Sequence, residues 1–145
     1  MKAEGCEMPR RATVGSAGYD FFAPCDLSFE PGKWTEFDTG VSFDGTEELV
    51  KSSNGVYIMQ EGQWFLMLVP KSGLGFKYGM RLANTLGCVD ADYTSHIRAK
   101  FTCEKAFTLR KGDKYMQGIF MPYLTLYGEV KPTAERTGGF GSTGQ

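Results

Sequence analysis

The chain has 145 residues, 41% hydrophobic and 23% charged, which suits one domain with its own core. A net charge of −1 gives no electrostatic basis for a nucleic-acid or membrane partner, and no apolar run approaches membrane-spanning length. The single histidine, His96, and four cysteines without a C-x-x-C pair exclude a multi-histidine zinc site and the usual cysteine cages.

The N-terminal stretch MKAEGCEMPRR lacks an apolar signal core, so a cytoplasmic location is expected. Cys6, Cys25, Cys88 and Cys103 are then free thiols of a reducing compartment. In GSAGYDFFAP, Asp20 interrupts an apolar strand. It reads either as a turn aspartate or as a carboxylate near a metal. FEPGKW and DTG read as turns, and GTEELVK is a weak helix candidate. VYIM and WFLMLV, joined by QEGQ, read as a hairpin turning at Gly62. WFLMLV does not alternate, which predicts cover on both of its faces. Pro70 ends that strand. Ser72 and Gly73 then open a short helical turn whose N–H groups and hydroxyl, with Lys71, suit an anion; an ordinary Pro-Lys-Ser-Gly turn is the alternative.

In NTLGCVDADYTSHI, Asp90 and Asp92 flank Ala91. Extended, the two carboxylates share a face; turned, they cap a hairpin. Asn84 carries a donor and an acceptor together, as reading a base edge requires. HIRAKFTCE alternates, with Ile97, Ala99, Phe101 and Cys103 on one face, and predicts a half-buried strand. FTL, RKGDK and YMQGIFM read as strand, turn, strand, with Pro122 marking an edge or a break. Gln117 sits in that apolar run and must find a partner, either structural or a ligand. The tail GGFGSTGQ has the glycines and hydroxyls of an anion loop, but no lysine before its Ser142 and no helix after it. It is not an NTPase P-loop; it reads as a flexible flap that orders over a phosphate. The fold class is all-β, a small barrel or jelly roll of short strands.

Taken in order, AGYDF, PKSG, GCVDADY, MQ and RTGGFGSTG resemble the five motifs of the trimeric dUTPases, the deoxyuridine triphosphate nucleotidohydrolases. The resemblance runs from about Ala12 to Gly144. It implies a jelly-roll or β-clip domain over residues 1–135 and a glycine-rich arm over 136–145 that completes the active site. It also implies a homotrimer with active sites at subunit interfaces, and Mg²⁺-assisted hydrolysis of dUTP to dUMP and pyrophosphate. By motif, Asp90 would activate water for attack on the α-phosphate. Tyr93 would pack on the deoxyribose and exclude a 2′-hydroxyl. Asn84 and the backbone of Gly87 and Val89 would read the uracil edge. Lys71, Ser72, Gly73 and Gln117 would hold the α- and β-phosphates. Asp20 would orient waters around Mg²⁺, with no direct protein ligand to the ion. Arg136, Gly141, Ser142 and Thr143 would grip the γ-phosphate, and Phe140 would stack on the uracil. A carboxylate base suits a chain with one histidine, because a triphosphate needs mainly placement and charge compensation.

The sequence departs from the family pattern at Lys71 and Lys114, where arginine is usual, at Ser95, where glycine is usual, and in a spacing one residue shorter after Arg136. The stretch FDGTEELVKSSNG matches no motif. Two rival readings stay on the same scaffold: a deoxycytidine triphosphate deaminase, whose acid–base pattern is not found, and a non-catalytic nucleotide-sensing or partner-binding protein. Whether a regulatory protein partner exists is open.

Overall fold

The computed structural model describes residues 1–43, 64–130, 132–136 and 138–139. In chain order its strands are β1 (Lys2–Ala3), β2 (Tyr19–Phe22), β3 (Leu27–Phe29), β4 (Thr35–Ser42) and β5 (Trp64–Pro70). After the helix α1 (Ser72–Tyr78) come β6 (Arg81–Leu82), β7 (Gly87–Val89), β8 (His96–Thr102), β9 (Phe107–Leu109) and β10 (Lys114–Pro122). Pairing is antiparallel throughout these strands. One sheet runs β1-β4-β8-β6, a second β2-β10-β5-β7, and β3 pairs with β9. This is the all-β, jelly-roll-like architecture expected from the many short apolar runs.

The core lies on the inner faces of the two large sheets. Ile97, Ala99 and Phe101 of β8 point inward, as their alternation predicts. Cys103 follows them into the core, and Thr102, which the alternation puts outside, is buried too. Phe101 meets Phe37 and Tyr115 edge-on or stacked, while Phe43, Trp64 and Phe120 form a second aromatic group. Such pairs add about 0.5–1.5 kcal/mol each beyond their burial.

Two expectations change. WFLMLV does alternate in burial: Trp64, Leu66 and Leu68 are buried, whereas Phe65, Met67 and Val69 are half-buried. Both faces are apolar, so periodicity could not say which meets the core. DTG is not a turn. β4 runs straight through it, and the register with β8 shifts between Asp38 and Ser42 as a bulge. Gly40 makes that bulge with φ +71°, and a Cβ there would lie 2.5 Å from the Glu4 carbonyl oxygen. Pro122 does mark the end of its strand: β10 stops at the proline, opposite Trp64 on β5 and beyond Gly118, where its pairing with β2 ends. The helical turn after Ser72 is present as α1. The GTEELVK helix and the VYIM half of the hairpin lie outside the described residues.

Candidate active site

Among the described residues β7 is the last strand of its sheet, and no described strand pairs with its outer N–H and C=O groups. Gly87 lets β7 approach β5 closely, since a Cβ at this position would sit 3.0 Å from Leu68 Cβ. Gly87 and Val89 line a pocket of about 240 Å³, together with Asn84, Cys88, Asp90, Tyr93 and Arg136. Asn84 reaches the rim through a tight reversal. The Leu86 N–H donates to the Asn84 carbonyl at 2.6 Å, and Thr85 between them has φ +65°. A β-branched residue in the left-handed region costs on the order of 1–3 kcal/mol, a strain that structures tolerate mainly at working sites.

After Val89 the chain turns. The Tyr93 N–H donates to the Asp90 carbonyl at 3.1 Å, and Ala91 is buried beneath. DADY is therefore a turn, yet its two carboxylates still converge. The Tyr93 hydroxyl donates to the His96 carbonyl at 2.9 Å, which fixes the ring against the start of β8. Burial pushes the Tyr93 hydroxyl pKa up, so it remains a donor. The Cys88 thiol lies 3.7 Å from Asp90 Oδ1 and donates to it. Burial first, and then the Asp90 charge, raise the thiol's pKa.

Arg136 reaches both aspartates. Its Nε donates to Asp92 Oδ1 at 2.7 Å, a terminal nitrogen pairs with Asp90 Oδ2, and the other donates to the Gly138 carbonyl at 3.1 Å. The guanidinium also stands 5.9 Å from the centre of the Tyr93 ring. The Asp92 bond, ahead of opposing burial and the charges of both aspartates, raises the Arg136 pKa further.

A second group forms around Asp20 on β2. Asp20 is fully buried, and its Oδ1 accepts from Lys71 Nζ at 2.7 Å and from Gln117 Nε2 at 3.0 Å. Lys114 Nζ stands 2.9 Å from Oδ2 as a charge contact without a directed hydrogen bond. Burial alone would raise the Asp20 pKa, but Lys71, Lys114 and Gln117 outweigh it and hold it at about 2. The register explains the meeting: Gln117 on β10 faces Asp20 on one side and Val69 on the other. Ser72 and Gly73 stand exposed at the start of α1, which no side chain caps. None of Asp20, Lys71, Ser72, Gly73 or Gln117 lines the pocket at Asp90, so within one chain the two groups remain separate.

The dUTPase family model matches residues 4–144. The chain belongs to the dUTPase family. It is similar to a deoxyuridine 5′-triphosphate nucleotidohydrolase of Lactococcus lactis, 33% identical over 99% of this chain and 91% of the relative. Among solved structures, a dUTPase from Streptococcus mutans is 26% identical with a TM-score of 0.63, covering 83% of this chain and 89% of that one. A dUTPase mutant of Staphylococcus bacteriophage 80alpha, solved with dUpNHpp, has a TM-score of 0.69 over 93% of this chain and 94% of that one. At 17% identity it supports the fold alone.

The sequence reading singled out Asn84, Gly87, Val89, Asp90, Tyr93 and Arg136, and the structure gathers them at one pocket. It missed the pairing of Asp92 with Arg136, the strain at Thr85, and the Lys114 contact to Asp20. Asp92 was visible in D-x-D, but its partner lies 44 residues away. Phe140, Gly141, Ser142 and Thr143, and with them most of the arm, lie outside the described residues.

Proposed function

We propose that this dUTPase-family chain hydrolyses dUTP to dUMP and pyrophosphate. The supporting observation is the gathering of Asn84, the Gly87–Val89 backbone, Asp90 and Tyr93 at one pocket. Asn84 and the outer backbone groups of β7 offer donors and acceptors to the uracil edge. Tyr93, pinned through its hydroxyl, presents its ring to the deoxyribose and leaves no room for a 2′-hydroxyl. Asp90 takes the proton of a water that attacks the α-phosphate, and pyrophosphate departs. Lys71, Ser72, Gly73 and Gln117 hold the α- and β-phosphates, while Arg136, Gly141, Ser142 and Thr143 receive the γ-phosphate and Phe140 stacks on the base.

Mg²⁺ supplies charge compensation on the triphosphate when bound. The residues fit an ion held mainly by substrate. Asp20 already faces two lysines, yet its buried Oδ2 lacks a directed hydrogen bond and suits a hydrogen from a metal-held water. Asp20 would hold that water in place.

Because the two groups stand apart in one chain, we infer that a complete site combines the Asp90 pocket of one copy with the Lys71–Gln117 group of another, in a homotrimer. Beyond Pro122 the chain also exposes Leu124, Leu126, Tyr127 and Val130 in succession, an apolar run that calls for cover by a second copy.

The test is release of pyrophosphate by the purified protein from each of dUTP, dCTP, dTTP and UTP. The expected result is release from dUTP, with dUMP in equal amount, and far less from the others. Ammonia from dCTP would favour the deaminase, and binding without turnover the nucleotide-sensing reading.

A further inference from the structure

The ring proposed to meet the sugar is held at a strand end. The Tyr93 hydroxyl rests on the carbonyl of His96, the first residue of β8. The outermost rung that pairs β8 with β4 is Ser42 with His96 itself. Ends of this kind fray, so the ladder alone anchors that carbonyl weakly. The His96 side chain adds two further ties. Its Nδ1 stands 3.2 Å from Asp38 Oδ2 on β4, and its Nε2 stands 3.5 Å from Glu4 Oε2, just beyond β1. The ladder sets Asp38 opposite Arg98, two residues on from His96, so the carboxylate reaches the ring diagonally. Gly40 gathers both acids. Its N–H donates to Asp38 Oδ1 at 2.7 Å, and its carbonyl accepts from the Glu4 N–H at 2.8 Å.

We propose that His96 is a positioning residue for Tyr93: Asp38 and Glu4 hold its ring, and its carbonyl then holds the Tyr93 hydroxyl where the tyrosine excludes a 2′-hydroxyl. The contacts run from the Gly40 bulge through the imidazole to the pocket, all by way of one residue. A tyrosine pinned at its far end resists tilting, and a tyrosine that tilts makes room for one more oxygen on the sugar. His96 therefore tunes the choice between deoxyribose and ribose without touching the nucleotide. Glu4 and Asp38 are 74% and 55% exposed and the imidazole 33%, so solvent limits the effect to roughly two- to fivefold. The effect on sugar choice rests on the dUTPase reading; the brace itself rests on the contacts alone.

Two measurements separate them. His96→Phe keeps a ring and removes both nitrogens. In protein without nucleotide it should speed amide hydrogen exchange over residues 94–98 roughly two- to fivefold. Exchange in β10 should keep its rate, which controls for loss of fold. Asp38→Asn should act in the same direction, since it keeps an oxygen for the Gly40 N–H and loses the charge that faces the imidazole. His96→Gln retains a donor for Asp38 and should restore slow exchange. With Mg²⁺, His96→Phe should lower the ratio of kcat/KM for dUTP over UTP by a similar factor, mainly through a lower KM for UTP. Loss of folded protein would instead lower kcat for both nucleotides alike and leave that ratio unchanged. His96→Gln should return the ratio toward that of the parent protein. Unchanged exchange over residues 94–98 in His96→Phe and Asp38→Asn would overturn the brace, even if dUTP is turned over. Faster exchange with an unchanged dUTP-over-UTP ratio would overturn the link to sugar choice. Faster exchange in a protein that hydrolyses neither nucleotide would keep the brace and overturn the substrate assignment.

Discussion

Replacing Asp20 with asparagine removes a buried charge that Lys71 and Lys114 share. The carboxylate is 1% exposed, whereas the lysines are 27% and 43% exposed. Its pKa falls from 3.8 to about 2 on folding. At about 1.36 kcal/mol per pKa unit, the ionised form contributes roughly 2.5 kcal/mol to the fold. The asparagine keeps a carbonyl for Gln117, and the lysines retain partial hydration, so the expected loss is about 2 kcal/mol at neutral pH and not the larger cost of a wholly buried pair. For a chain of this size that lowers Tm by about 4–8 °C. The sign follows from a depressed acid. Its contribution is complete above the unfolded pKa and disappears as pH falls through the folded one. Urea unfolding of both proteins should therefore give a gap of about 2 kcal/mol near pH 7 that shrinks to about half near pH 3. A gap that stays constant or widens toward low pH would refute the linkage, and no gap at pH 7 would show that the lysines do not hold Asp20 ionised.

The other expectations address the pocket and its supports. Asp90→Asn should bind a non-hydrolysable dUTP analogue by calorimetry yet lose turnover by roughly 10²- to 10⁴-fold. Tyr93→Ala should narrow the preference for dUTP over UTP, read as a ratio of kcat/KM values. Gly118→Ala would bring a Cβ to 2.9 Å from Phe21 and 3.0 Å from Leu66, both fully buried, so it should cost about 1–3 kcal/mol in denaturant unfolding. Ending the chain after Arg136 should lower turnover by about 10²-fold or more, since several phosphate donors go at once, while light scattering still gives three times the chain mass.

How far the sequence reaches depends on how local the signal is. The alternation of β8 is legible because one face meets the core and the other, with Arg98 and Lys100, meets water. The orientation of β5 is not, because Phe65, Met67 and Val69 are as apolar as the residues that face the core. Gly40 signals a special backbone position, but a glycine in a bulge and a glycine in a turn look alike along the chain. The residues of the pocket are legible through their order in the motifs, not their spacing. What stayed hidden is pairing across distance: Asp20 with Lys71, 51 residues apart, and Asp92 with Arg136. Thr85 shows the same limit at short range. The positive φ falls on Thr85 and not on Asn84 beside it, although asparagine adopts that conformation more readily than a β-branched residue.

The proposed reaction is attack on the α-phosphate by a water that Asp90 activates. The direct measurement is a single turnover of dUTP in water enriched in heavy oxygen, with the label located by mass spectrometry. The prediction is label in dUMP alone, and no labelled product on the same timescale from the Asp90→Asn protein. Label in the pyrophosphate, or undiminished labelling in that variant, would contradict it.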